Sequence, residues 1–452
     1  MKPHIIATLR PGVSHREVPP WTEVIGRGAP TSLQRDVDRV LREHRTRVVA
    51  ATQEFAPAGP EWTHDQRACG LDRVFRLVVD EPAIRVQELS RHLADLPSVR
   101  DSRPAGVAMG PLPQVGDREK TRIGTARPGA AAFDAARLDE AHAVSQGHAD
   151  VLIAVLDTGL WAGHREYRDV TAPGRDFVDV VEGASAFVGD AVDADNDTDD
   201  PGVGHGSHVA GILVAAGHRM HIGVAPRCRL LPVRVLGAYR RDGDLIGAGQ
   251  VDDINQGIAW AAEQGASVIN MSLGVRHDKG GLPHEAVVAY ARRKGAVVVA
   301  ASGNDGTDRL YYPGALPGVL AVGATDDAGQ VTAFSTWGEQ VDLVAPGTDV
   351  YSAFLDDGYA YASGTSQATP FVSGAAALMR SVARERGIRL TEGQIVHVLV
   401  HTADRVDQRF RHPRAGHGVL NLPDALRLLA HRLDQAGAQR ARSERSPRGV
   451  AA

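Results

Sequence analysis

The chain has 452 residues, more than one ordinary domain holds, and a composition of 43% hydrophobic and 23% charged residues suits a globular protein with a sizeable core. Its formal net charge is −5, with acidic and basic residues interspersed, which argues against nucleic acid or an anionic membrane as partner. No structural disulfide and no thiol nucleophile is expected, because the two cysteines, Cys69 and Cys228, fall in different expected units.

The apolar run Ile5–Leu9 is too short for a signal-peptide core, and no stretch of about 18 apolar residues follows. A cytoplasmic location is therefore expected, with secretion by another route left open. Ile5–Leu9 and Val74–Val79 read as strands, Val37, Val40 and Leu41 lie at helical spacing, and Val86, Leu89, Leu93 and Leu96 mark a helix that Pro97 ends. Val99 starts a further strand. The order suits a small α+β unit over residues 1–103, and its histidines, His44 and His92 among them, show no metal-ligand spacing. Residues 104–132, rich in Pro, Gly and charge from Arg103 to Pro128, read as a linker.

The run Val151–Leu156 has the length and continuous apolarity of a central parallel strand, and it ends at Asp157-Thr158-Gly159. Asp157 is either a turn aspartate or a carboxylate at the sheet edge where open α/β sheets place their ligands. An aspartic-protease dyad fails on count, since no second Asp-Thr/Ser-Gly occurs. His205 opens a helix rich in small residues. Its i, i+3 spacing to His208 is weak evidence for zinc, because a His-Glu-x-x-His motif is absent, so a general base is the better reading. Strands at Leu230–Leu236, Ala266–Met271 and Ala296–Ala300 alternate with helices at Gln250–Gln264 and Glu285–Arg293, the pattern of a doubly wound parallel sheet. Asn304 follows the last of these strands. Ser366, in Gly364-Thr365-Ser366-Gln367-Ala368-Thr369-Pro370, stands at the start of a helix, where on local grounds it could be a plain cap. Helices are expected at Leu390–Thr402 and Pro423–Leu433, closing a unit over 133–434, with a disordered tail over 435–452.

Asp157, His205, Asn304 and Ser366 thus share one edge of one sheet. That set suits acyl transfer: a hydroxyl needs a base, the imidazole needs a carboxylate to hold its tautomer, and the developing oxyanion needs donors. The order Asp, His, Ser differs from that of the α/β-hydrolases.

Here the chain resembles the subtilisin-like serine proteases, or subtilases. The resemblance is carried by Val155-Leu156-Asp157-Thr158-Gly159, His205 to Gly211, Met271-Ser272-Leu273-Gly274, Ser302-Gly303-Asn304 and Gly364 to Pro370, and it spans about Phe133 to Leu426. It implies an α/β, doubly wound, mostly parallel subtilisin-like fold preceded by a small ferredoxin-like prodomain that inhibits the enzyme and assists folding. It also implies a serine endopeptidase with Asp157, His205 and Ser366 as triad and Asn304 as oxyanion donor, acting on peptide or protein substrates with no cofactor. Extended substrates would bind along Ser272, Leu273 and Gly274 and along Gly247, Ala248 and Gly249, with Ser302 and Gly303 lining the same cleft. Tyr311 stands where the family often has glycine before a Tyr-Pro pair. It should fill the specificity pocket and favour small residues before the scissile bond.

Other departures also have chemical content. Gln367 replaces a methionine beside the nucleophile, so peroxide tolerance is expected. Asp195, Asp197 and Asp200 resemble a calcium loop of some subtilases or are simply a solvated acidic loop, whereas the more usual calcium site looks degraded at Glu166 and at Gly217–His221. The missing export signal favours a processing role over bulk degradation. A catalytically silent peptide-binding fold and a non-protease acyl hydrolase are the alternatives.

Overall fold

The structure is a computed structural model, and it describes residues 4–23, 29–109, 114–115, 130–178, 187–188, 197–200, 202–241, 244–277 and 281–445. The N-terminal unit comprises β1 (His4–Leu9), α1 (Arg35–Glu43), β2 (Val48–Gln53), α2 (His64–Cys69), β3 (Val74–Val79), α3 (Ala83–Ala94) and β4 (Val99–Pro104). Its sheet has the order β2-β3-β1-β4, with every pairing antiparallel. The apolar positions read as helical, Val37, Val40 and Leu41 on α1 and Val86, Leu89 and Leu93 on α3, are buried together against one face of that sheet. Strand β2 was not expected. Its Val-Val-Ala-Ala-Thr-Gln run offers only small or polar residues after the first two.

Two short strands follow, β5 (Val107–Met109) and β6 (Gln114–Val115), inside the stretch expected to be linker. Helices α4 (Ala131–Ala135) and α5 (Leu138–His142) lead into β7 (Leu152–Asp157), β8 (Arg175–Asp176), β9 (Phe187–Val188) and α6 (His205–Val214). Next come β10 (Arg229–Arg234), β11 (Gly237–Arg241), β12 (Asp244–Gln250), α7 (Val251–Glu263), β13 (Val268–Met271), β14 (Val275–Arg276), α8 (Glu285–Arg293), β15 (Val297–Ala301) and β16 (Tyr311–Tyr312). The chain finishes with β17 (Leu320–Thr325), β18 (Leu343–Pro346), β19 (Val350–Ala353), β20 (Tyr359–Ser363), α9 (Thr365–Arg384), α10 (Glu392–Thr402) and α11 (Leu422–Arg445).

Seven parallel strands in the order β18-β17-β15-β13-β7-β10-β8 form the central sheet. The two-residue period of a strand divides its core. Ile153 and Val155 join the face covered by α6 and α9, while Ala154 and Leu156 join the face covered by α7 and α8. Ile6, Phe55, Leu71 and Val74 of the N-terminal unit belong to that second cluster, so the small unit docks on the α7/α8 side. Ion pairs join the units at the rim, Arg293 to Asp65 at 2.5 Å and Arg100 to Glu285 at 2.9 Å.

The last helix departs from expectation. It does not stop near Leu433 but continues to Arg445, through residues expected to be a disordered tail. Alanine, arginine and glutamine there are strong helix formers, which is enough to extend a helix already anchored by Leu422, Leu426 and Leu429.

Candidate active site

Asp157 is the last residue of β7 and His205 the first of α6, and these two elements pack closely because Gly206 permits it. A Cβ on Gly206 would lie 1.9 Å from the carbonyl oxygen of Gly159. The closeness sets His205 Nδ1 2.6 Å from Asp157 Oδ1, which also accepts the N–H of Thr158 at 2.8 Å. Both side chains are buried. Burial opposes charge on His205, but the charge of Asp157, its hydrogen bond and the nearby Asp200 outweigh it, so the imidazole pKa lies above its ordinary value.

Asp200 builds the turn that delivers His205. Its Oδ2 accepts from Thr158 Oγ1 at 2.5 Å and Gly204 N at 2.7 Å, and its Oδ1 accepts from Gly202 N at 3.0 Å and Val203 N at 2.7 Å. A carboxylate so engaged does not fit a calcium ligand. Asp197 accepts the N–H of Asp199 at 2.9 Å, and Asp195 lies outside the described residues. At Glu166 the fit is also poor, because the groups facing it are donors: the N–H groups of Gly217, His218 and Arg219 and the hydroxyl of Tyr359, at 2.8–2.9 Å. A cation needs oxygens there. Zinc at His205 and His208 fails as well, because His208 Nε2 donates to the carbonyls of Val350 and Ala360, and burial pushes its pKa down to about 4.

Ser366 is the second residue of α9 and is buried. Its hydroxyl donates to the carbonyl of Ser272 at 3.1 Å, and Ser272 Oγ returns a bond to the carbonyl of Ser366 at 2.9 Å. His205 Nε2 has no hydrogen-bond partner among the described residues. The Asp–His bond is therefore formed and the Ser–His bond is not, the hydroxyl being turned toward Ser272. Asn270 Nδ2, 3.2 Å from Ser272 Oγ, and Ser373 Oγ, 2.8 Å from Asn270 Oδ1, extend the network beneath Ser366. Nothing local in the sequence singled these two out. Asn304, just past β15, accepts from Thr365 N at 2.8 Å and Thr365 Oγ1 at 2.9 Å through Oδ1, which leaves Nδ2 free to donate. A Cβ on Gly364 would lie 3.0 Å from that Nδ2 and 2.9 Å from Gln367 Oε1, so glycine keeps this corner open. Gln367 is fully buried, and neither amide atom has a partner among the described residues.

The expected substrate edge exists as β12, which holds Gly247, Ala248 and Gly249. It is occupied. β5 pairs with it antiparallel, Ala108 opposite Gly249 and Met109 opposite Ala248, and β6 pairs with β20, Gln114 opposite Ser363 and Val115 opposite Ala362. Ser272 and Leu273 are buried, and Ser302 Oγ donates to the carbonyl of Thr336 at 3.2 Å. The ring of Tyr311 lies against two glycines, since a Cβ on Gly274 would meet its Cβ at 3.3 Å and one on Gly303 its Cδ2 at 2.6 Å. Its hydroxyl donates to Asp305 Oδ2 at 3.1 Å.

Among known proteins, the subtilase family model matches residues 148–419. The chain is similar to a thermophilic serine proteinase of Bacillus sp. (strain AK1), 38% identical over 270 residues, 59% of this chain and 60% of that protein. It is also similar to thermitase of Thermoactinomyces vulgaris, 37% identical over 56% of this chain and 81% of that one. A solved structure titled as the prenylagaramide maturation protease PagA aligns with a TM-score of 0.53 at 30% identity, covering 65% of this chain and 98% of its own. The family match spans more than half of the chain and contains the aspartate, histidine and serine just described, so the chain belongs to the subtilase family, the subtilisin-like serine proteases.

Proposed function

We propose that this chain is a serine endopeptidase held inactive by its own N-terminal unit until the segment joining them is cut. The observation that carries the reading is the 2.6 Å Asp157–His205 bond, with His205 on a helix that packs against the helix opened by the buried Ser366. In this reading, rotation about the Cα–Cβ bond of Ser366 releases its hydroxyl from the Ser272 carbonyl and turns it to His205 Nε2, which has no partner among the described residues. The imidazole takes the hydroxyl proton as Oγ attacks the scissile carbonyl, and Asp157 stabilises the imidazolium. The oxyanion meets Asn304 Nδ2 and the N–H of Ser366 at the start of α9. His205 then protonates the leaving amine, and water hydrolyses the acyl-enzyme by the same route.

Pairing of β5 with β12 and of β6 with β20 supports self-inhibition, because the chain runs along the expected substrate edge and then along the strand that leads directly into Gly364 and Ser366. By connectivity, self-cleavage falls between Met109 and Gln114, a narrower window than the whole linker. Two of the five bonds there precede Pro111 and Pro113 and lack an N–H. The inward ring of Tyr311 supports a preference for small residues before the scissile bond. A processing role is in keeping with the maturation protease to which the fold is similar.

Intact-mass and peptide mapping of purified wild type beside Ser366→Ala tests the reading. Expected are two fragments joining between residues 109 and 114 in wild type and an uncut chain in the variant. Equal patterns in the two proteins, or a junction outside that window, would refute it.

A further inference from the structure

The geometry points to a divalent transition-metal site on the N-terminal unit, formed by His44, Glu88 and His92. His44 caps the C-terminus of α1. Glu88 and His92 stand one turn apart on α3, at the i, i+4 spacing that stacks two side chains on one helix face. That face is the outward one, because α3 buries Val86, Leu89, Ser90 and Leu93. The imidazoles of His44 and His92 are stacked with centroids 4.5 Å apart, and one ligand atom from each of the three residues lies within 4.8 Å of the others. None of the three side chains makes a hydrogen bond or ion pair among the described residues, so nothing competes for their lone pairs.

Tetrahedral zinc, with bonds of about 2.0–2.1 Å, holds its ligand atoms about 3.3 Å apart. Closing from 4.8 Å needs only side-chain torsions, and Glu88 and His92 are exposed while His44 is half-buried. Two imidazoles and one carboxylate select zinc, copper or nickel over calcium or magnesium, which take oxygen. The fourth position is left to water. Arg85, also on α3, is directed elsewhere: it donates to the carbonyl of His44 at 2.8 Å and pairs with Glu81 at 3.2 Å.

Both helices cover the same face of the N-terminal sheet, so the ion would pin the end of α1 to the middle of α3 and stabilise the unit by binding only its folded form. If that unit is the inhibitor, as proposed above, zinc prolongs inhibition. This consequence rests on that reading, whereas the site itself does not.

The full chain carrying Ser366→Ala, stripped of metal, is titrated with Zn2+ by calorimetry and with Co2+ by absorption spectroscopy. Expected are one ion per chain, tetrahedral d–d bands, and a rise in Tm of about 5 °C for the N-terminal unit. His44→Ala and His92→Ala should each weaken binding at least tenfold with unchanged circular dichroism. His397→Ala should not, although His397 and His401 form another close pair, with centroids 3.9 Å apart. Absence of saturable binding at micromolar Zn2+, or binding that survives His44→Ala and His92→Ala, overturns the site. Because no readout requires proteolysis, metal binding without self-cleavage of wild type would refute the protease reading alone, and the converse would refute the metal site alone.

Discussion

His4, the first residue of β1, sets its Nε2 2.5 Å from Asp252 Oδ2 at the start of α7, joining the two units through a buried contact. Around it lie Arg76, 3.2 Å from Glu54 and 3.8 Å from Asp252, and Arg103, 3.9 Å from Asp252. Asp253 and His284 complete the buried set. Burial, followed by the charge of Asp252, pushes Glu54 up to about 8, while Arg76 and His4 overcome burial to hold Asp252 well below the usual carboxylate range.

These shifts give the docked state a pH dependence. Glu54 keeps its proton up to about pH 8 when docked, against about 4.3 for an exposed glutamate. The docked state thus binds an extra proton across that window, so its stability is fully present below it and declines as pH rises through it. Asp252 has the opposite sign, and its contribution is lost only in strong acid. After cleavage, the N-terminal fragment should co-elute with the catalytic unit at pH 5 and separate more readily at pH 8, with Glu54→Gln removing the difference. Equal retention at both values would contradict this.

Replacing Asn304 tests the oxyanion role. Asn304→Leu should lower kcat by about 10²–10³-fold with little change in KM, since a donor aimed at the oxyanion acts chiefly in the transition state. Titration with a fluorophosphonate would check that the serine remains accessible. A loss confined to KM would point to ground-state binding.

Tyr311 should govern the residue accepted before the scissile bond. With the ring removed, Tyr311→Gly is expected to raise kcat/KM for Phe or Leu there by about tenfold or more and to leave Ala substrates nearly unchanged. Asp305→Ala, which frees the ring without removing it, should broaden preference less. A peptide library read on all three proteins decides the matter.

Glu166 with its four donors serves in place of an ion. Added calcium should leave Tm unchanged, whereas Glu166→Ala, which removes the acceptor of three N–H groups on an exposed loop and of the buried Tyr359 hydroxyl, should cost about 1–3 kcal/mol in chemical denaturation. A calcium-dependent rise in Tm would return the metal to this loop or to its acidic neighbour.

With Gln367 beside the nucleophile, dilute peroxide should leave activity intact, and Gln367→Met should create a peroxide-sensitive enzyme. Rapid loss in wild type without cysteine modification would contradict the expectation.

The positions of the candidate residues at strand and helix ends were legible in the sequence. The apolar runs of β7, β13 and β15 declare buried parallel strands, and Asp157, Asn304 and Ser366 stand where those runs or the next helix begin or end. Pairings made by the main chain were not legible. β5 and β6 bind their edges through N–H and carbonyl groups, which any sequence possesses. Contacts between distant residues were equally silent: His4 and Asp252 are 248 positions apart, and His44 meets His92 only once α1 and α3 share a sheet face. The Ser366 hydroxyl faces Ser272 rather than His205, a rotamer choice that no motif encodes.

The continuity of the chain through β5 and β6 has a thermodynamic consequence. Under the proposed self-inhibition, the segment on the β12 edge is tethered while the chain is intact, and its effective concentration is fixed by the span of a few residues, so dilution cannot relieve it. One cut makes the same contact bimolecular. From then on, the fraction of open cleft depends on protein concentration, and expansion into a larger volume becomes a signal.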